Sequence, residues 1–386
     1  MALSLPPPPQ VAKDALRAAY GADPRPHKAW LCGGACLGPG GVFTPCPGFD
    51  VPVPPQQGDP SNQPTAGEPT FNEAIRRNLG PTLATQVLQT VGGTGALRLA
   101  LQTWRALRPH ARLWLTDPTW SNHAHIARLT GITIHRLPWR RHGAQLDLDA
   151  AMSALKRARA GDIVLLHGVG HHPTGLDPTP AQWLAFGQRA SLDGWVPLID
   201  VAFTGLIGPP FTDLRPVSAL ADQCGLGMLA LSLAKSTGLH NERPAALAVF
   251  GSADSTLHAH LVHQARGMWA APPREVALKI ARQLRRPELR ASWLGWLAGR
   301  RAWLADRRGH LLAAYSAEGL PTELIEGGVG LFVPLGVSVT QAAALRDQSG
   351  LYIGAGYANL SALADDLPAR VAREVARLQR AHHAQD

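Results

Sequence analysis

The stretch Met228-Leu229-Ala230-Leu231-Ser232-Leu233-Ala234-Lys235-Ser236, running on through Gly238-Leu239 to Asn241-Glu242-Arg243, decides how the rest of the chain is read. Its first four residues form a short apolar run of the kind a buried strand makes. Lys235 follows just past the end of that run, where an amine can be desolvated. Desolvation lowers the pKa of an amine and suits it to a Schiff base. Arg243 lies eight residues further on, able to fork onto a phosphate.

Working outward, apolar runs recur at Val87–Val91, Arg112–Leu115, Ile132–Leu137, Ile163–Leu166, Val196–Ile199, Met228–Leu231 and Ala246–Phe250, with helical patterns between them. That alternation predicts a mostly parallel sheet with helices on both faces. Two further segments fall at ends of these runs. Val91-Gly92-Gly93-Thr94-Gly95-Ala96-Leu97-Arg98 follows a strand and opens a helix; its free N–H groups suit a phosphate, although such turns also serve merely to pack a helix on a sheet. Asp200 ends Val196-Pro197-Leu198-Ile199, where ligands of open α/β sheets sit; a helix cap or a buried ion pair is the plainer reading of such a carboxylate. Together these segments make a site for an anionic aldehyde cofactor.

Elsewhere, Asp14–Ala22 and Phe71–Leu79 read as helices and Gly33–Pro69 as an extended or looped arm. One long helical stretch is expected over Pro273–Glu318, with its arginines on a solvated face. Leu331–Pro334, a helix over Gln341–Gln348, Leu351–Ile353 and a helix from Pro368 read as a small α+β unit.

With 386 residues, 45% of them hydrophobic and 17% charged, the chain is expected to be globular with one large and one small domain. The net charge of +9 invites a nucleic-acid reading, but no aromatic-basic or helix-turn-helix signature accompanies it, so no nucleic-acid partner is expected. Met1–Gln10 has no basic residue and four prolines, unlike a signal peptide. No apolar run approaches the ~20 residues of a membrane helix. Cys32, Cys36, Cys46 and Cys224 form no disulfide framework or zinc spacing. The expectation is a cytoplasmic protein with isolated thiols and no metal or membrane partner.

In order and spacing, Gly92-Gly93-Thr94-Gly95-Ala96-Leu97-Arg98, Asp117-Pro118-Thr119-Trp120-Ser121-Asn122-His123, Leu166-His167-Gly168 with Pro173-Thr174-Gly175, and Lys235 with Asn241-Glu242-Arg243 resemble class I aminotransferases of the aspartate/aromatic amino acid subgroup. Asp14-Ala15-Leu16 through Gly33-Gly34 resembles that family's opening segment. The resemblance implies a fold-type I pyridoxal-phosphate enzyme: a large domain (35–280) with a mostly parallel mixed sheet flanked by helices, and a small α+β domain (1–34 with 281–386). It implies a homodimer with shared active sites, taking an amino acid or keto acid as substrate. Lys235 would carry pyridoxal 5'-phosphate and shuttle the substrate proton, while Asp200 would pair with the ring nitrogen, oriented by His123. Trp120 would stack on the ring, and Gly93, Thr94, Ser232 and Arg243 would hold the phosphate. Gly34, Arg266 and Tyr357 fall at substrate positions, Arg266 reaching the neighbouring subunit's pocket.

The sequence departs from that family at one end of the site. His172 stands for the asparagine that touches the cofactor's phenolic oxygen and the substrate carboxylate, and Phe203 for the tyrosine on the same oxygen. Tyr357 stands for the arginine that clamps the α-carboxylate, and Asn62 for a tyrosine that reaches the partner's phosphate. Three readings follow: a transaminase with altered donor recognition; a pyridoxal-phosphate enzyme of a specialised pathway performing elimination, replacement, decarboxylation or cyclisation; and a non-catalytic descendant. Retention of Lys235, Asp200 and Arg243 together speaks against the third.

Overall fold

The computed structural model describes residues 12–53, 63–143, 145–251 and 255–383; Asn62 lies outside them. Seven strands build the central sheet: β1 (Gln86–Val91), β2 (Arg112–Asp117), β3 (Thr133–Pro138), β4 (Ile163–His167), β5 (Val196–Val201), β6 (Gly227–Ser232) and β7 (Pro244–Phe250). Each coincides with one of the apolar runs. The spatial order is β1-β7-β6-β5-β4-β2-β3. Neighbours are parallel throughout, except that β7 runs against both β1 and β6.

Every residue of β4 to β7 is buried, because helices cover both faces and an alternating polar side would have no solvent to meet. Successive side chains nonetheless part into two cores. Ile163, Leu165 and Leu198 join one with Leu97, Ile126 and Leu261. Val164, Leu166 and Ile199 join the other with Phe71, Trp183 and Phe186. Full burial of such a side chain is worth about 1.5–3 kcal/mol.

The expected helix over Pro273–Glu318 is two helices, Arg274–Arg285 and Pro287–Ala317. Pro287 has no N–H to continue the first, and Arg286 before it is extended, with φ −93° and ψ 118°. The arginines of this stretch are not all solvated either. Arg300 and Arg307 are buried, and Arg282 and Arg300 bond main-chain carbonyls of the looped arm. Arg282 donates to Gly48, Val51 and Pro52, and Arg300 donates to Thr44 at 2.9 Å. A segment without periodic structure has carbonyls to spare, and guanidinium groups satisfy them.

Ala29–Trp30 pairs with Leu351–Tyr352 in parallel, joining the start of the chain to its end. Phe332–Pro334 pairs with Tyr357–Asn359 in antiparallel register. The latter strand was not anticipated; three residues after Gly354-Ala355-Gly356 carry no readable period. The four cysteines are free and buried, and among the described residues no helix is long and apolar enough to cross a membrane.

Candidate active site

The parallel strands bring the ends of β1, β2, β4, β5 and β6 to one edge of the sheet. Because β7 is reversed, the residue that precedes it, Arg243, arrives at that same edge; Pro244 stands opposite Val91, and Gly92 N–H donates to the Arg243 carbonyl at 2.8 Å. A cavity of about 710 Å³ opens there. It is lined by Gly34, Gly93, Thr94, Trp120, His172, Asp200, Phe203, Ser232, Lys235, Arg243 and Tyr357, so most of the residues singled out by the sequence are brought together. His123 stands behind Asp200. Arg266 is the exception: it is exposed on the helix Ser255–Trp269 and does not line the cavity of its own chain.

One end of the cavity is a cradle for an anion. The helix Gly92–Leu107 points its N-terminus there, with Thr94, Ser232 and Arg243 around it. Gly92 has φ +71°, and any side chain on it would collide with the Arg243 guanidinium. A Cβ on Gly93 would approach that of Ser232 to 3.0 Å. The backbone thus stays bare where free N–H groups, a hydroxyl and a guanidinium converge, a donor set that fits a phosphate.

Lys235 sits on the short helix Ala234–Thr237 just beyond β6, its ammonium 4.7 Å from the centre of the Phe203 ring. Desolvation brings its pKa down from 10.5 to about 8; the Asp200 charge opposes this, and Arg243 and Lys13 reinforce it.

Asp200 is buried at the end of β5. Burial alone would raise its pKa, but the hydrogen bond from His123 and the charges of His123, His167 and Lys235 prevail, and the net shift is downward. His123 Nε2 lies 2.9 Å from Asp200 Oδ2. Behind it the Thr119 hydroxyl bridges His123 Nδ1 at 2.9 Å and His167 Nε2 at 3.0 Å, while His172 N–H donates to His167 Nδ1 at 3.3 Å. That last bond sets the His167 tautomer: its Nδ1 accepts, so its Nε2–H donates to the Thr119 hydroxyl, and His123 Nε2–H donates to Asp200. Asp200 is held as an ionised acceptor. Thr119 and His167 lay within quoted motifs, but nothing in the sequence gave them this task.

The opposite end is aromatic. His172 lies 4.0 Å from Phe332 and 4.9 Å from Tyr357, ring centre to ring centre, and Phe332 and Tyr357 are 5.6 Å apart. Phe203 packs on Phe332 at 6.0 Å, closing the row toward Lys235. Desolvation, with His167 and Lys235 nearby, pushes the His172 pKa well below its ordinary value. Its Nδ1 is buried without a hydrogen-bond partner among the described residues. Burial also raises the Tyr357 pKa to about 12. Two residues that the sequence did not flag hold these walls. Asp177 accepts from the Gly170 and His171 N–H groups at 2.7 Å each, pinning the loop that carries His172; burial lifts its pKa to about 6. Asn359, buried two residues after Tyr357, donates to the carbonyls of Gly33 and Ala35 at 2.7 and 2.8 Å, which seats Gly34 at the cavity wall.

The family model described as aminotransferase class I and II matches residues 56–367. This chain belongs to that family. It is 32% identical over 296 residues to an aromatic-amino-acid aminotransferase of Pseudomonas aeruginosa, covering 75% of this chain and 74% of the relative. It is 31% identical over 305 residues to an aspartate aminotransferase of Haemophilus influenzae, covering 76% and 75%. Among solved structures, an aromatic-amino-acid aminotransferase from Burkholderia pseudomallei covalently bound to pyridoxal phosphate superposes with a TM-score of 0.88, at 25% identity over 98% of both chains. The fold is that of the fold-type I pyridoxal-phosphate enzymes, and the aminotransferase class and its cofactor follow for this chain. The phosphate-fitting cradle and the desolvated lysine suit that cofactor.

Proposed function

We propose that this enzyme transfers an amino group between an amino acid or related amine and a keto compound, with Lys235 as the residue that carries pyridoxal phosphate and moves the substrate proton. The observation that carries the reading is Lys235 itself, an amine brought to about 8 by desolvation between Asp200 and the phosphate-fitting cradle. Gly93, Thr94, Ser232 and Arg243 hold the phosphate. Asp200, kept ionised through His123, pairs with the ring nitrogen, and Trp120 covers the ring. When bound, the cofactor supplies an electron sink for the pair left on the substrate carbon. Lys235 Nζ takes the proton from that carbon, and with its pKa brought down to about 8 a substantial share is neutral near that pH and poised as a base. His172, which lines the cavity, stands at the substrate. Elimination, replacement, decarboxylation and cyclisation find no support among the relatives, which are aminotransferases.

The reading includes a homodimer in which Arg266, exposed on its own chain, serves the neighbour's cavity. It also includes a division into a large domain (35–280) and a small one (1–34 with 281–386), supported by the pairing of Ala29–Trp30 with Leu351–Tyr352, and a cytoplasmic setting, supported by four unpaired cysteines. Borohydride reduction of the cofactor-loaded protein, followed by peptide mapping, tests the central claim. The adduct is expected on the peptide containing Lys235; an adduct on another lysine, or none, overturns it. A monomer at micromolar concentration in light scattering would dispose of the shared-site dimer.

A further inference from the structure

Among the described residues, the lysine and arginine side chains that line the cavity are Lys13, Lys235, Arg243 and Arg346. All but the first are already engaged. Lys235 is the amine of the reaction centre and Arg243 belongs to the anion cradle. Arg346 is forked onto Asp347 by bonds of 2.7 and 2.9 Å. Lys13, exposed on the helix Ala12–Ala22, has no ion-pair partner among the described residues.

The position of Lys13 is set by the fold. Its helix is fastened further along, where Lys28 Nζ donates to the Tyr20 carbonyl at 2.8 Å and the Tyr352 hydroxyl donates to the Ala19 carbonyl at 3.2 Å. The Tyr20 ring meets that of Tyr352 edge-on at 5.0 Å. Ala15 and Leu16, in the turn beside Lys13, line the cavity with it. The charge of Lys13 acts on Lys235 and on Cys32, a further wall residue. The ammonium therefore stands beside the reaction centre, on the side where Cys32 lies. Two cations brought together from distant parts of a chain repel each other, and an anion between them relieves that cost. An amino acid or keto acid carries its carboxylate on the very carbon that exchanges nitrogen. Whenever that carbon is at Lys235, its carboxylate is a bond away, and an anion out of bulk water needs a paired charge.

We propose that Lys13 is a substrate-binding residue whose ammonium receives the carboxylate borne by the reacting carbon. The proposal rests on the amino-transfer reading above and names the group that selects an acid as its substrate.

The test uses the cofactor-loaded enzyme with hydrocinnamate, a carboxylic acid that has no amine, and with its uncharged amide. Binding is read by calorimetry, so no turnover is needed. The wild type is expected to bind the acid about threefold to tenfold more tightly than the amide, as one charge-assisted contact to an exposed lysine gives. Lys13→Gln, a change at an exposed position, should abolish that preference, and Lys13→Arg should retain it. In the apo-protein, Lys13→Gln should also move the pH midpoint of cofactor capture upward from about 8 toward 10.5, because one of the charges that lower the Lys235 pKa is gone. Equal binding of acid and amide by the wild type, a preference that survives Lys13→Gln, or an unmoved midpoint overturns the proposal while the adduct on Lys235 stands. If no cofactor adduct forms on Lys235, it is the underlying reading that falls.

Discussion

At one end of the cavity Gly93, Thr94, Ser232 and Arg243 keep a bare, cationic, hydrogen-bonding cradle; at the other, His172, Phe332 and Tyr357 make an aromatic wall. The two ends share a sheet edge and a lysine, yet they follow different chemistry. The cradle is constrained by sterics, since side chains on Gly92 or Gly93 would strike Arg243 or Ser232, and its donor set fits a phosphate. The aromatic wall is set by ring packing, with Asp177 and Asn359 holding the segments behind it. An enzyme can thus keep its reaction and alter its substrate by rebuilding one end of one pocket.

Removing the group common to both ends should have the largest effect. Lys235→Ala is expected to lower turnover about ten-thousand-fold, the upper range for a positioned acid–base group, while the cradle still binds cofactor without a covalent bond. Dialysis and absorbance would show this, and a variant that keeps substantial turnover would break the comparison at its centre. Arg243→Ala should weaken cofactor binding about a hundredfold, as expected for lost charge-assisted bonds, in equilibrium titration of the apo-protein.

The next effect is one of pH. Only the neutral amine attacks an aldehyde, and the Lys235 pKa is lowered from 10.5 to about 8. Cofactor capture by the apo-protein should therefore accelerate as pH rises through about 8, not through 10.5. Asp200 opposes that lowering, so Asp200→Asn should move the midpoint further down. Stopped-flow absorbance across pH reads both, and a midpoint near 10.5 would mean that the lysine is not desolvated.

Smaller effects sharpen the contrast at the aromatic end. Asn359→Ala leaves the carbonyls of Gly33 and Ala35 without their donor and should cost about 2 kcal/mol in chemical denaturation. Arg282→Ala frees carbonyls near the surface that water can satisfy, so about 0.5–1 kcal/mol is expected, with faster proteolysis of the segment around residues 48–52.

The middle of the sheet was legible because both faces of β4 to β7 are buried, which makes these strands near-continuous apolar runs. The helix break at Pro287 was legible in principle, since proline cannot donate, but the periodic pattern on either side hid it. The arginines of that stretch misled for a physical reason: a long guanidinium on an apolar helix reads the same whether it meets water or a neighbouring carbonyl. Asp177 and Asn359 bond main-chain groups, which every segment possesses, so no residue pattern announces such partners.

By itself the sequence determined the seven strands of the central sheet, the bare turn at Gly92-Gly93 and the lysine proposed to carry the cofactor, because each depends on residue type and local spacing. Only the tertiary structure decided that β7 runs backward and so delivers Arg243 to the cradle. It alone linked His172 to Asp200 through His167, Thr119 and His123 and drew His172, Phe332 and Tyr357 into one wall. Those outcomes depend on which groups meet across long stretches of chain, where orientation and burial, and not composition, set the chemistry.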